Sequence, residues 1–178
     1  EQVYDAIHEM CPDDPFLLKL SRIYRDARRL HGRGPYKDHL WFCVRAGGED
    51  WTGRPTFYFE IGSDYYSYGM GFWAPKAALM EAYRKAVDEH PEVLEKLVKR
   101  FNKQAQFTLS GPEYARKKTA PSPLLAAWYN KKSINLQHDA APDERMFSQE
   151  LAQDIIEGFR TLMPLYKYFD ALCAAEMV

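Results

Sequence analysis

The sequence predicts an α+β domain, with a largely antiparallel sheet built from the N-terminal half and packed by C-terminal helices. Three observations carry that prediction. Residues 39–72 hold runs that alternate side chains at a period of two, split by glycine-rich turns. Residues 75–101 and 148–170 repeat apolar residues at three- and four-residue spacing instead. Strand-type runs precede helix-type runs and one strand returns late, an order that fits α+β rather than strict βαβ alternation. A chain of 178 residues, 46% of them apolar, suits one domain spanning residues 1–178 with a sizeable core.

Residues 1–14 open with a short helix, because Val3, Ile7 and Met10 recur at helical spacing before Cys11-Pro12-Asp13-Asp14 stops it. Leu17 to Asp26 reads as helical at first and as a strand near its end, where Arg22, Tyr24 and Asp26 alternate. Leu40, Phe42 and Val44 alternate with Trp41, Cys43 and Arg45 in a clear strand. Phe57, Phe59 and Ile61 alternate with Thr56, Tyr58 and Glu60 in the next. Gly62-Ser63-Asp64 turns the chain into a second hairpin arm, Tyr65 to Phe72. Apolar groups on both faces of these strands predict a sheet covered on both sides over part of its area. Pro75 suits a first helical position, with Leu79, Tyr83 and Val87 on one face. His90-Pro91 ends that helix, and Leu94, Leu97, Val98 and Phe101 stripe the next. Residues 103–122, with Gly111-Pro112, Pro121 and the basic segment Arg116-Lys117-Lys118, read as a long loop. A short helix over Leu124 to Tyr129 and a strand over Ser133 to His138 follow. The last helix carries Leu151, Ile155, Phe159, Leu162, Tyr166 and Phe169 on one stripe, with Ser148 as its N-cap. Pro164 predicts a kink or a split within it.

The net charge of −1 argues against a general nucleic-acid or membrane coat, which needs a broad basic surface. Any electrostatic binding is therefore local. Three widely spaced cysteines, Cys11, Cys43 and Cys173, form no metal or disulfide framework and point to a reducing cytoplasm. No apolar run reaches the length of a membrane span and no signal peptide is visible. The first residue is Glu1 rather than Met, so residues are expected to precede it in the natural chain.

Against that neutral background one block stands out. Arg22, Arg25, Arg28, Arg29, Arg33 and Lys37 face a single anion, Asp26. Two like charges ~6 Å apart repel by roughly 3 kcal/mol at an effective dielectric near 20, so crowding them requires acidic partners, open solvent or a bound anion. Arginine's planar fork suits carboxylate and phosphate, and Asp26 can hold one guanidinium in place. Gly32, Gly34 and Pro35 then turn the chain so that Tyr36 and Lys37 return toward the same face. On these residues alone an anion site and a solvated or ion-paired edge stand level.

The block resembles the DUF2461 family, conserved bacterial proteins of unknown function, whose pattern is R-x-x-R-D-x-R-F-x-x-x-K-x-P-Y-K-x-x-x-G. Arg22, Arg25, Asp26, Arg28, Pro35, Tyr36 and Lys37 match it. Arg29 stands for Phe, Arg33 for Lys and Trp41 for Gly, so packing or the pocket wall differs there. Looser similarity runs through Gly53-Arg54-Pro55, Tyr58, Gly69-x-Gly71-x-x-x-Pro75, Arg84, Lys131-Lys132 and the final helix. The resemblance implies a shared site but no established activity. It also implies a further N-terminal helical segment, which is expected to precede residue 1 or to be missing here.

Other signals are weaker. Gly69-Met70-Gly71-Phe72-Trp73-Ala74 fits a loose dinucleotide pattern, but Phe72 and Trp73 are bulky where pyrophosphate must approach, so close strand packing explains the glycines better. His31 and His39, near the positive block, are candidate general bases against a bland surface reading. His8 and Cys11 lack a second ligand pair, so no metal site is nominated. Tyr58, Tyr65, Tyr66, Tyr68 and Trp73 are either stacking platforms or the sheet's own packing. No nucleophile, catalytic residue or cofactor emerges, and enzyme and binding roles both stay open. The expectation is a basic, aromatic-walled pocket for a small anionic, phosphate-bearing ligand. Its charge is bound by Arg22, Arg25, Arg28 and Lys37, with Asp26 orienting an arginine and Tyr36, Tyr58 and Arg84 lining. The competing readings are a module docking an acidic partner or nucleic acid through the arginine-rich edge, and an internal Arg–carboxylate network. Nucleic acid ranks below a small ligand because the overall charge is low.

Overall fold

The computed structural model describes residues 1–26, 28, 32, 34–48 and 51–176. Helix α1 (Gln2–Met10) buries Val3 and Ile7, the apolar pair at four-residue spacing. The chain then forms β1 (Phe16–Leu20), β2 (His39–Ala46), β3 (Pro55–Gly62) and β4 (Tyr66–Phe72). Helices α2 (Ala77–Glu89) and α3 (Pro91–Phe101) follow, with Pro91 at the first turn of α3, where its missing N–H costs nothing. A short β5 (Thr108–Ser110), a one-turn α4 (Ala126–Tyr129), β6 (Asn135–Ala140) and the long α5 (Gln149–Glu176) complete the order.

All strand pairs are antiparallel, in the order β1-β2-β3-β4-β6-β5. The α+β class is as predicted. Four strands come from the N-terminal half, and two return from beyond α3. β5 lies inside the segment read as a loop, because three residues are too short to display a period. The first half of Leu17 to Asp26, read as helical, is instead the edge strand β1, whose five residues all pair with β2. Beyond it, Tyr24 makes only an isolated bridge with Tyr36. Helix α2 begins at Ala77 rather than beside Pro75.

Alternation sorts the strands into two faces. Phe57 on β3 points at α5, its ring 4.8 Å from Phe159 and 5.0 Å from Tyr166. Tyr68 and Phe72 on β4 meet Phe159 and Phe169 edge-on. The predicted stripe of α5 is buried throughout, and Ser148 Oγ accepts the Glu150 N–H at 3.2 Å as a cap. α5 runs unsplit through Pro164. Burial of Leu162, Met163, Leu165 and Tyr166 on both sides of the proline offsets the one lost backbone bond. Among the described residues no helix is long and apolar enough to cross a membrane.

Gly69 and Gly71 let β4 approach β6. A Cβ at Gly69 would collide with the Leu136 carbonyl oxygen, and one at Gly71 with the Asn135 side chain. The dinucleotide pattern is thus explained by strand packing. Gly69→Ala is expected to cost ~1–3 kcal/mol in urea unfolding, while Gly34→Ala, with open space around it, should stay within ~0.5 kcal/mol.

Candidate functional site

The sheet face turned away from α5 carries the opposite parity, and its cross-strand rows are set by register. Trp41, Glu60, Ser67 and Asp139 form one row; Cys43, Tyr58, Gly69 and Gln137 the next; Arg45, Thr56, Gly71 and Asn135 the third. These rows floor a groove of about 500 Å³, a volume suited to a small molecule. Gly71 contributes no side chain to this floor. Trp51 and Trp73 stand at one end, joined through the Ala74 N–H, which donates to the Thr52 carbonyl at 3.0 Å. Trp73 is 79% exposed, so its ring is available to a ligand.

Two cations sit on tryptophans of the groove, Trp51 and Trp41. The Arg45 guanidinium lies 4.6 Å from the Trp51 ring centre, and Lys37 Nζ lies 5.8 Å from that of Trp41. The floor is polar and pre-set. Tyr58 OH lies 3.4 Å from Ser67 Oγ, and Gln137 is held by Ser110 at 2.6 Å and Asp139 at 2.7 Å. Burial pushes the Tyr58 phenol up, opposed by the Ser67 hydrogen bond. The Tyr65 hydroxyl donates to the Glu60 carboxylate, which pushes the phenol up to about 12. Cys43 is buried at the floor, and burial raises its thiol against the opposing pull of Arg45 and Lys19. It is a weak nucleophile in that state.

The arginine block reaches this groove at its C-terminal end. Its backbone forms the predicted turn-back: the Arg25 N–H donates to the Pro35 carbonyl at 2.7 Å and the Lys37 N–H to the Ile23 carbonyl at 2.9 Å. The Tyr24 and Tyr36 rings pack 5.4 Å apart on the outside of this hairpin. Arg25 pairs with Asp38 at 3.0 Å, and its Nε donates to the Tyr36 carbonyl at 2.7 Å. Asp26 grips Arg28 through two side-chain hydrogen bonds, at 2.7 and 3.0 Å, and accepts the Arg28 backbone N–H as well. That bonding raises the Arg28 guanidinium further. Arg22 is exposed. Arg29, Arg33 and His31 lie outside the described residues.

Asp38 also accepts from His39 Nδ1 at 2.8 Å. A carboxylate can only accept, so Nδ1 carries a proton, and the His39 ring lines the groove. Arg84 is elsewhere. It sits on α2 in the helix layer, its guanidinium 4.7 Å from the Tyr114 ring centre, and has no contact with the block among the described residues. Tyr66 and Tyr68, candidate platforms, are buried under α5 instead, whereas Tyr58 and Trp73 line the groove. Sequence reasoning missed Trp51, Ser67, Asn135 and Gln137, which only strand pairing assembles. The alternation of Trp41 with Phe42 was the readable signal for Trp41.

The sequence profile described as "Conserved hypothetical protein (DUF2461)" matches residues 1–168. The chain belongs to the DUF2461 family. No curated protein matches it. In this DUF2461 protein the matched span includes the hairpin, every strand and most of α5, so groove and block fall within the family's own extent.

Hydrogen bonds from Arg25, then His39, lower Asp38 to about 2, below the usual carboxylate value of ~3.9. Its contribution to stability is therefore present above ~pH 4 and is lost as pH falls through about 2. Carbon-detected NMR should find Asp38 titrating there, and Arg25→Ala should return it toward ~4. An unchanged Asp38 titration in that variant would show the pair to be unimportant in solution.

Proposed function

We propose that the groove binds a small anionic ligand that has a flat ring and a phosphate-type group. The ring lies against Trp41, Trp51 or Trp73, and the charge meets Lys37 and Arg45 at the rim. One observation carries the reading: a groove of about 500 Å³ in which two of the aromatic walls, Trp41 and Trp51, are each backed by a cation that no carboxylate neutralises among the described residues. Aromatic faces stack planar groups without sequence or substituent preference. The amide and hydroxyl groups of Thr56, Ser67, Asn135 and Gln137 supply donors and acceptors for polar ring substituents. Within the block the support is uneven, since Lys37 adjoins the groove while Arg25 and Arg28 already hold carboxylates. Three free, buried thiols support a reducing, cytoplasmic setting.

Those two ion pairs favour a second reading for the rest of the block: an Arg–carboxylate network that holds the hairpin and so positions Lys37 and His39 at the groove mouth. The two readings are compatible, and each has its own test.

Titration of intrinsic tryptophan fluorescence with nucleoside monophosphates, sugar phosphates and their unphosphorylated counterparts tests the binding reading. A phosphorylated ring compound should quench saturably, and replacing Trp41, Trp51 and Trp73 singly by Ala should show which ring carries the response. Lys37→Ala should weaken the phosphorylated compound roughly tenfold and leave its unphosphorylated counterpart unchanged. The reading fails if no phosphate-bearing compound quenches, or if the Lys37→Ala/Arg45→Ala double variant binds as tightly as the wild type. For the network, Arg25→Ala should loosen the hairpin, seen as faster amide exchange at Arg25 and Lys37, without loss of the global fold.

A further inference from the structure

We propose that Arg84 is the centre of a second anion site, on the helix side of the molecule, which takes a compact oxyanion such as inorganic phosphate. Arg84 is 7% exposed, and its Nη1 is buried with no hydrogen-bond partner. The guanidinium makes no ion pair with any described residue, although an arginine cannot shed its charge at physiological pH. No acid pairs with it among the described residues, and Glu81, three residues back on α2, is exposed to solvent. Asp88, one turn further along α2, accepts the Tyr129 hydroxyl at 2.9 Å. Glu113, next to Tyr114, is held by Lys117 at 2.9 Å and Lys131 at 3.1 Å. A buried charge left without a partner is strongly destabilising, so a fold that keeps one has a counter-charge to offer it.

The surroundings supply further cations, and among the described residues no acid pairs with the guanidinium. Tyr114 covers one face of the guanidinium at 4.7 Å, leaving the nitrogen edge as the part that can bond. Lys132 Nζ lies 5.8 Å from the centre of that same ring. The basic segment Arg116-Lys117-Lys118 follows directly, and the Asn130 side chain fastens it by bonding the Lys118 N–H at 2.9 Å and carbonyl at 3.0 Å. An oxyanion at the guanidinium edge would accept a fork of two parallel N–H bonds, the geometry arginine presents to phosphate and carboxylate. The exposed remnant of Arg84 is the route of approach. This site is separate from the groove: α2 packs on α3 and α5, and α5 covers the opposite sheet face.

Melting curves of the full chain test the proposal, in chloride buffer at fixed ionic strength and with added inorganic phosphate, sulfate or acetate. Phosphate at a hundredfold excess over its Kd should raise Tm by roughly 5–10 °C, while chloride of equal ionic strength should not. Arg84→Met keeps the bulk of the stem and removes the charge. It should melt at or above the wild type in chloride, since the uncompensated charge is gone, and lose the phosphate shift. Lys132→Gln, on an exposed side chain, should weaken the shift several-fold. The Lys37→Ala/Arg45→Ala groove variant should keep it, which separates this site from the groove. An acetate shift that Arg84→Met abolishes supports the site with a carboxylate as occupant. The proposal is overturned if no oxyanion shifts the wild type, or if Arg84→Met retains the shift. Should Arg84→Met fail to fold, an undiminished phosphate response in Lys132→Gln overturns it equally.

Discussion

The packing of the α5 aromatic stripe against one face of the sheet is the constraint on which the rest depends. Phe57 sits between Phe159 and Tyr166, and Phe72 meets Phe169. Because strand side chains alternate, committing Phe57 and Phe59 to the helix layer sends Tyr58 and Glu60 to the other face. The same choice, made on β2, β4 and β6, turns Trp41, Cys43, Ser67, Asn135 and Gln137 outward together. A one-residue slip in any pairing would bury the polar floor and expose the phenylalanines. The groove is thus a by-product of core burial, and its composition is as strongly specified as the core itself.

Electrostatics divides along the same layers. Among its described residues the hairpin disperses like charges: Arg25 goes to Asp38, Arg28 to Asp26, and Lys37 to the face of Trp41. Arg45 settles on Trp51 in the same way. A cation on an aromatic face keeps its charge available to a ligand, whereas one in a carboxylate fork is largely neutralised. That difference directs attention from the most charged stretch of sequence to the two cations on tryptophan. Arg84 is the contrasting case, a charge taken into the helix layer with an aromatic face but no ion pair among the described residues.

Much of the architecture was legible in local pattern. The period of two from Leu40 to Phe72 yields β2, β3 and β4. The 4-4-3-4-3 spacing of the last stripe yields α5, and Gly32, Gly34 and Pro35 yield the turn that brings Lys37 back. β1 was not legible, because Leu17, Leu18 and Leu20 satisfy helix and strand patterns equally and only pairing with β2 decides between them. β5 was too short to read. Pro164 was read as a kink or a split, yet α5 is unsplit there, because burial on both its sides outweighs one missing backbone bond.

The candidate site divides likewise. Sequence by itself determined the α+β class, the two-faced strands, the hairpin with Lys37 at its returning end, and the parity that sets Tyr58 opposite Phe57 and Phe59. Backbone sterics act over a few residues, so their periods survive in the chain. Only tertiary structure decided that Asn135 and Gln137 join Tyr58 across β4, that Trp51 and Trp73 share one end, and that Arg84 belongs to a different neighbourhood from the block it accompanies in the family pattern. Those placements come from segments that meet across some twenty to eighty residues of chain. Long-range packing sets such partners, and no local period records it.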